Sequence, residues 1–173
     1  MDVEGLIKSR IRDVRDYPKQ GILFRDITPL LADGPAFAAV IDSLAGELPR
    51  ETDVVAGVEA RGFIIGAALA HRLGLGFVPI RKKGKLPYRS LSVDYDLEYG
   101  SASIEAHEDA FSGAGNAVIV DDLLATGGTA AAAKALVEKL GGRALALAFV
   151  VELEGLGGRE KLGGCRIISL AKY

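Results

Sequence analysis

A segment in the second half of the chain has the residue types needed to hold a sugar phosphate. The small apolar residues 117–120 lead directly into Asp121 and Asp122. A glycine-containing loop, residues 125–128, then runs to Thr129 and an alanine-rich stretch. Adjacent carboxylates can accept hydrogen bonds from ribose hydroxyls, whereas threonine hydroxyls and the amides at a helix N-terminus can hold a phosphate. The plainer alternative is a strand that ends in an Asp-rich turn, with Thr129 as a helix N-cap.

Two common nucleotide-binding motifs do not match this sequence. The loop at residues 125–129 lacks the lysine of a P-loop, and no predicted strand is followed by Gly-x-Gly-x-x-Gly. An apolar strand that ends in two aspartates also resembles the magnesium-binding end of an NTPase, but the sequence offers no P-loop for the triphosphate. ATP hydrolysis and NAD binding are therefore disfavoured.

Positive charge is concentrated in one stretch of the sequence, which consists of Arg81, Lys82, Lys83, Lys85 and Arg89. Such a run is often only solvated surface, but this one begins where the apolar residues 77–80 end. Arg61 follows another apolar run, residues 53–58. It is either a ligand-binding residue at the end of that run or an ion pair with its neighbour Glu59.

The candidate binding residues follow short apolar runs that have the character of buried strands. Val, Ile and Ala are frequent in these runs, which are residues 53–58, 77–80, 117–120 and 144–151. Helical spacing of apolar residues lies between them, at residues 37–48, 63–73 and 136–140. This alternation predicts an α/β fold with a central, mostly parallel sheet flanked by helices. Ligands of such a sheet bind beyond the carboxyl ends of its strands.

Two regions interrupt the alternation. At the N-terminus we predict a helix over residues 4–14, a turn over residues 17–21 and an apolar segment at residues 22–24. Residues 82–115 are long and polar, and apolar and polar side chains alternate over residues 90–97. This alternation predicts a strand ribbon in place of a crossover helix. Insertions of this length often act as lids over a site.

Composition indicates one globular domain that spans residues 1–173. Of its side chains, 49% are hydrophobic and 25% charged, which is enough for a substantial core. A net charge of −2 argues against a protein that is basic throughout, as non-specific nucleic-acid binders are. The single cysteine, Cys165, excludes an internal disulfide, and the sequence shows neither a signal peptide nor a membrane-spanning run. We therefore expect a cytoplasmic protein with no nucleic-acid or membrane partner.

Possible metal ligands also occur close together in the sequence, at Glu105, His107, Glu108 and Asp109. Their spacing matches neither a zinc-binding His-Glu-x-x-His motif nor a calcium loop. The second histidine, His71, is far away in the sequence. We therefore treat both histidines as structural and expect no metal site built from protein ligands alone.

Several of these segments together resemble the type I phosphoribosyltransferases. Residues 118–129 (VIVDDLLATGGT) are similar to the phosphoribosyl pyrophosphate signature of that family. Further similarity to the branch of the family that acts on adenine lies in FRDITP at 24–29, EARGF at 59–63, RKKGKLP at 81–87, LEYG at 97–100 and VEL at 151–153. The segments occur in the family's order and cover essentially the whole chain, and residues 88–96 differ most. The resemblance implies the family's α/β fold with a small hood, built from the N- and C-terminal segments, and a flexible lid.

The resemblance also implies roles for individual residues. Ribose 5-phosphate would be bound by Asp121, Asp122, Ala125, Thr126, Gly127, Gly128 and Thr129. Pyrophosphate would be bound by Arg61, Arg81, Lys82 and Lys85, with Arg81 serving either this subunit or a neighbouring one. Adenine would stack between Phe24 and Leu153, with the backbone near Leu23 bonding the edge of the base. Glu98 would be the catalytic acid/base, with Arg61 as a second catalytic residue.

The reaction implied is purine salvage, in which adenine and 5-phosphoribosyl 1-pyrophosphate give AMP and pyrophosphate. Mg²⁺ would be the cofactor, held mainly by substrate oxygens, and the protein would be a homodimer. Two alternatives remain open from the residues alone. The same fold could act on a 6-oxopurine such as guanine, hypoxanthine or xanthine, or the chain could be a regulatory module that senses phosphoribosyl pyrophosphate without catalysis.

Overall fold

The computed structural model describes residues 2–96, 100–113 and 115–173. The strands of this described part are β1 (Arg12–Arg15), β2 (Leu23–Asp26), β3 (Val54–Val58), β4 (Gly76–Lys82), β5 (Ser90–Asp96), β6 (Ser101–His107), β7 (Asn116–Leu124), β8 (Arg143–Glu152) and β9 (Arg166–Lys172). The helices are α1 (Val3–Arg10), α2 (Thr28–Ala32), α3 (Gly34–Glu47), α4 (Arg61–Leu73), α5 (Gly128–Lys139) and α6 (Gly158–Lys161). A short 3-10 helix, Glu154–Leu156, lies between β8 and α6.

A mostly parallel sheet forms the centre of the molecule, with the strand order β5-β6-β4-β3-β7-β8-β9. Strands β4, β3, β7, β8 and β9 run parallel to one another. At one edge, β6 pairs antiparallel with β4, and β5 pairs antiparallel with β6. The predicted α/β fold is confirmed, and all four apolar runs are strands. Strand β7 extends to Leu124, four residues beyond the predicted end.

Two apolar clusters, one on each face of the sheet, form the core. The side chain of Val55 on β3 packs into the cluster that includes α1, α3 and α4, whereas Val54 and Ala56 pack into the cluster that includes α5. All five residues of β3 are buried, because successive side chains on a strand point to opposite faces and both faces are covered. The continuous apolar runs in the sequence follow from this burial.

The N-terminal prediction was partly wrong. The first helix ends at Arg10 and not at residue 14, because Ile11 adopts an extended backbone and residues 12–15 form β1. Strand β1 pairs antiparallel with β2 in a separate two-stranded sheet, so tertiary pairing overrides the local helical pattern. The guanidinium of Arg25 on β2 lies 4.0 Å from the ring centre of Tyr173. The N- and C-terminal segments therefore meet, as the predicted hood requires.

The polar insertion contains the expected ribbon. Strands β5 and β6 pair antiparallel in continuous register from Ser90 opposite His107 to Asp96 opposite Ser101. Strand β9, which the sequence analysis did not predict, completes the other edge of the central sheet. In the described part of the chain, no helix has the length and apolar character needed to cross a bilayer.

Candidate active site

The two aspartates lie on the last part of β7 and have different surroundings. Asp122 is 4% exposed, and its carboxylate accepts a short hydrogen bond from the guanidinium of Arg61. Asp121 is partly buried, and its Oδ1 accepts the backbone N–H of Asp122 at 2.9 Å. Burial and the neighbouring charge of Asp122 raise the pKa of Asp121 well above its ordinary value. The hydroxyls of a bound sugar could supply further hydrogen-bond donors to this carboxylate.

Arg61 connects the acidic pair to the hood. It is the first residue of α4, the helix that follows β3, and its guanidinium carbon lies 5.7 Å from the ring centre of Phe24. Burial opposes the charge of Arg61, but the bond and charge of Asp122 outweigh it and raise the pKa of the guanidinium. The alternative of an ion pair between Arg61 and Glu59 was wrong, since Arg61 pairs with Asp122, and Glu59 pairs with Arg81.

The loop after β7 encloses a small cavity of about 90 Å³. Its lining residues are Asp121, Leu123, Leu124, Ala125, Thr126, Gly127, Gly128, Thr129, Ala130 and Phe149. Gly127 has a φ of +80° and is the N-cap of α5, so Thr129 lies inside the helix and the N-cap alternative for it was wrong. Helix N-terminal amides attract anions, and this loop places them around a cavity next to a carboxylate pair.

A glycine contact determines the shape of this loop. A Cβ on Gly127 would lie 2.8 Å from the carbonyl oxygen of Gly158, the first residue of α6. A Cβ on Gly158 would in turn lie 2.2 Å from the carbonyl oxygen of Ala125. Both positions therefore require glycine, since a side chain at either would displace the backbone that surrounds the cavity.

A larger cavity of about 350 Å³ adjoins the loop and shares Asp121 and Thr129 with it. Its lining residues are Glu59, Ala60, Arg61, Lys82, Tyr95, Asp121, Asp122 and Thr129. The carboxyl ends of β3, β4 and β7 meet here, so residues that are far apart in sequence surround one space. The arrangement offers a carboxylate pair, an arginine and a lysine to one polar ligand.

Tyr95 is a residue of this cavity that the sequence analysis missed. Its hydroxyl lies 3.4 Å from Oγ1 of Thr129, and its ring lies beside Gly128. The alternation along β5 could have indicated it, because Leu91, Val93 and Tyr95 all pack on the same apolar cluster. Nothing in the sequence indicated that this face would reach the loop at residues 125–129.

The basic stretch divides into residues with different environments. Lys82 lines the larger cavity. Arg81 donates to Glu59 at 3.2 and 3.3 Å and to the carbonyl oxygen of Lys85 at 3.1 Å. Its guanidinium therefore connects Glu59 to the backbone at Lys85. Burial opposes the charge of Glu59, but Arg81 and the N–H of Lys82 lower the pKa of its carboxyl. Lys83, Lys85 and Arg89 are exposed and do not line that cavity.

Comparison with known proteins identifies the family to which these features belong. The family model for the phosphoribosyl transferase domain matches residues 30–162. An adenine phosphoribosyltransferase of Acidothermus cellulolyticus is 52% identical over 172 residues, which are 99% of this chain and 97% of that protein. The crystal structure of the adenine phosphoribosyltransferase of Thermoanaerobacter pseudethanolicus superposes with a TM-score of 0.94, at 54% identity and 99% coverage of both chains. The chain belongs to the adenine phosphoribosyltransferase family.

A further relative has been crystallised with ligands. The adenine phosphoribosyltransferase of Saccharomyces cerevisiae, in complex with an imino-altritol bisphosphate and adenine, has a TM-score of 0.88 and 40% identity. It covers 97% of this chain, and this chain covers 98% of it. The same fold therefore accommodates a base and a bisphosphate in that relative.

The residues predicted to hold adenine are not all brought together. Phe24 lines a cavity of about 290 Å³ with Val14, Tyr17 and Asp26, and the ring of Tyr17 meets it edge-on at 5.2 Å. Leu23 is 42% exposed on the same strand. Leu153 does not line this cavity; it follows β8, packs against the core and donates its N–H to Leu124 at 2.9 Å. Stacking of a base between Phe24 and Leu153 therefore stays a prediction.

The predicted acid/base Glu98 lies outside the described residues. The structure describes the strands on either side of it, β5 up to Asp96 and β6 from Ser101. Tyr95, which is three residues before Glu98 in the sequence, lines the larger cavity. The assignment of Glu98 in this family member remains a prediction from the sequence.

Proposed function

We propose that this protein transfers the phosphoribosyl group of 5-phosphoribosyl 1-pyrophosphate to adenine and releases AMP and pyrophosphate. The observation that carries the proposal is that two adjacent cavities share the lining residues Asp121 and Thr129. One cavity is surrounded by loop amides suited to a terminal phosphate, and the other carries carboxylates and cationic side chains. A sugar with phosphate groups at both ends matches this distribution of charge.

In the proposed reaction, the bond between the anomeric carbon and the pyrophosphate oxygen breaks while the base nitrogen bonds to that carbon. The loop at residues 125–129 would hold the 5-phosphate, and Asp121 and Asp122 would accept hydrogen bonds from the ribose hydroxyls. Lys82, with Arg61 and Lys85, would neutralise the leaving pyrophosphate. Fixing both substrates in line supplies much of the rate enhancement in such a transfer.

Glu98 would accept the proton that adenine releases when it attacks the sugar. We expect Glu98→Gln to lower turnover by about 10²–10⁴-fold, the usual contribution of a general base, because an amide cannot accept that proton. Steady-state rates with saturating substrates measure this effect. Unchanged turnover would assign the proton transfer to another group.

Adenine would bind on the hood beside Phe24, and the side chain of Arg61 would join this site to the ribose site. The contact of Arg61 with the Phe24 ring and its ion pair with Asp122 support this arrangement. Discrimination against other purines requires backbone groups that match the exocyclic amine, and the backbone near Leu23 would supply them.

Mg²⁺ fits this site as a substrate-bound cofactor. In the described residues, no group of three or more His, Cys, Asp or Glu side chains is placed to hold a metal ion. Asp122 is already bonded to Arg61, which leaves Asp121 as the neighbouring carboxylate able to assist the ion. The ion would supply charge neutralisation of the pyrophosphate, held mainly by substrate oxygens.

We also propose that residues 1–173 act as one domain, in a cytoplasmic homodimer. The continuous seven-stranded sheet supports a single domain, and the free thiol of Cys165 is consistent with a reducing compartment. Sedimentation at assay concentration measures the oligomeric state. A monomer with full activity would contradict the dimer proposal.

The deciding experiment is incubation with 5-phosphoribosyl 1-pyrophosphate, Mg²⁺ and each of adenine, guanine, hypoxanthine and xanthine, followed by detection of the nucleotide. We expect AMP as the main product. Preference for a 6-oxopurine would reject the assignment of adenine, and binding of the activated sugar without any nucleotide product would indicate a regulatory module.

A further inference from the structure

A buried carboxylate outside both cavity linings holds the backbone of the basic loop, which we define as residues 82–90. Glu105 lies on β6 and is 4% exposed. Its Oε1 accepts the backbone N–H groups of Lys85 and Leu86, each at 3.0 Å, and its Oε2 accepts the hydroxyl of Ser90 at 2.9 Å. One side chain thus fixes both the tip of the basic loop and its return to β5.

A second set of contacts, from Arg81 and Glu59, fixes the same loop. The guanidinium of Arg81 donates to the carbonyl oxygen of Lys85, while Glu59 binds that guanidinium and accepts the N–H of Lys82 at 3.1 Å. The peptide groups on both sides of the Lys85 Cα are therefore anchored, the N–H by Glu105 and the carbonyl by Arg81. Such anchoring restricts the position of the Lys85 Cα, and therefore the positions that its ammonium group can reach.

The lysine side chains remain available for a ligand. In residues 2–96, 100–113 and 115–173, no carboxylate forms an ion pair within 4.0 Å of the ammonium group of Lys82 or Lys85. The carboxylates nearest the loop are instead used on its backbone and on Arg81. Burial opposes the charge of Glu105, but the N–H of Leu86, the hydroxyl of Ser90 and the N–H of Lys85 lower the pKa of its carboxyl.

We propose that Glu105 is a positioning residue for the pyrophosphate end of the site, because it holds the backbone of the basic loop, which carries Lys82 in the lining of the larger cavity and Lys85 near it in sequence. The inference rests on the proposed function. Glu105 touches neither cavity, so it acts through the loop and not on the substrate. A displaced loop would weaken contacts with pyrophosphate and leave the adenine site on the hood unchanged.

The test measures kinetic constants of Glu105→Gln and Glu105→Ala in both reaction directions. We expect alanine to raise the KM for 5-phosphoribosyl 1-pyrophosphate and for pyrophosphate about tenfold or more, because three donors lose their acceptor. Glutamine keeps one carbonyl oxygen for the two backbone N–H groups, so its effect should be smaller. The KM for adenine should stay within about twofold of the wild-type value for both variants. General unfolding would not raise the KM for the activated sugar and pyrophosphate while leaving the KM for adenine unchanged.

Asp53→Ala is the matched control. Asp53 is also a carboxylate that accepts a backbone N–H, that of Asn116 at 2.9 Å, but it precedes β3 at the opposite end of the sheet. The KM values of Asp53→Ala should match those of the wild type.

Equal rises in the KM for adenine and for the activated sugar in the Glu105 variants would overturn the proposal. So would unchanged KM values in folded Glu105→Gln. If wild-type protein forms no nucleotide, the proposed function itself has failed, and direct titration with pyrophosphate still separates Glu105→Gln from Asp53→Ala.

Discussion

The adjacent aspartates on β7, Asp121 and Asp122, lie in different electrostatic environments, although they are neighbours in the sequence. Asp122 has Arg61 as its counter-ion, whereas Asp121 lies beside the charge of Asp122 with less compensation. The raised pKa of Asp121 means that its ionisation destabilises the folded protein when no ligand is present. Binding residues often destabilise a protein in this way when the hydrogen-bond donors of the substrate are absent.

We expect Asp121→Asn to stabilise the ligand-free protein at pH 7, because it removes a poorly compensated charge. The pKa of Asp121 is higher in the folded state than the ordinary value of 3.8, so the folded wild type loses stability as pH rises from that value through the folded pKa. The gain of the variant should therefore vanish in acid. Thermal unfolding midpoints of both proteins across pH measure this difference, and a lower midpoint for the variant at pH 7 would contradict it.

The same substitution should weaken binding of the activated sugar. Replacing a charged acceptor with an amide loses about 1.5–3 kcal/mol per hydrogen bond, which corresponds to roughly ten- to hundredfold in affinity. Titration with 5-phosphoribosyl 1-pyrophosphate measures the loss. A variant that is more stable and also binds as tightly as the wild type would remove Asp121 from the ribose site.

At the scale of elements, the loop at residues 125–129 keeps its shape because α6 packs directly against it. The contact involves backbone on both sides, Gly127 and Ala125 on the loop and Gly158 at the start of α6. An ion pair behind it fixes the connection from β8, since Arg159 donates to Glu152 at 2.7 and 2.5 Å. The hydrogen bonds from Arg159 outweigh burial and lower the pKa of Glu152.

Gly158→Ala should therefore impair the predicted phosphate site although residue 158 does not line the small cavity. The new methyl group would meet the carbonyl oxygen of Ala125 at 2.2 Å, so the loop or α6 must shift. We expect a destabilisation of about 1–3 kcal/mol, typical of overpacking, together with a higher KM for the activated sugar. Denaturant unfolding and steady-state kinetics measure the two effects.

Gly155→Ala is the control for this change, because nothing lies within 4 Å of a Cβ at Gly155 on the preceding 3-10 helix. Its unfolding free energy should stay within about 0.5 kcal/mol of the wild type. Similar losses in the two variants would mean that the chain between β8 and α6 is generally sensitive, and that contact with the loop is not the cause.

At the scale of the whole molecule, the sheet brings separate chemical groups to one edge. Strands β3, β4 and β7 are neighbours, so Arg61 at the start of α4, Lys82 at the end of β4 and the aspartate pair on β7 surround one cavity. The hood adds Phe24 through its contact with Arg61. Charge of both signs is thereby placed around a space that a bisphosphorylated sugar can occupy.

This arrangement predicts how metal removal should act. We expect a chelator in excess over Mg²⁺ to abolish turnover and added Mg²⁺ to restore it, because the ion would enter with the substrate. The thermal unfolding midpoint of the ligand-free protein should not change, since its described residues include no cluster of three metal ligands. A lower midpoint after chelation would reveal a resident structural metal.

The sequence by itself determined the fold class and predicted a phosphate-binding loop. Both depend on local pattern: continuous apolar runs follow from strands buried on two faces, and an apolar strand followed by Asp-Asp and a glycine loop is contained within residues 117–129. The end of α1 could not be predicted in this way, because residues 12–15 become a strand through pairing with β2.

Only the tertiary structure decided which charges are partners. Arg61 pairs with Asp122 and Arg81 with Glu59, and Tyr95 reaches Thr129. Glu105, which the sequence analysis considered only as a possible metal ligand, anchors the basic loop. These contacts join residues that lie 15 to 61 positions apart, so they depend on strand order and register and not on the side chains next to each residue in the sequence.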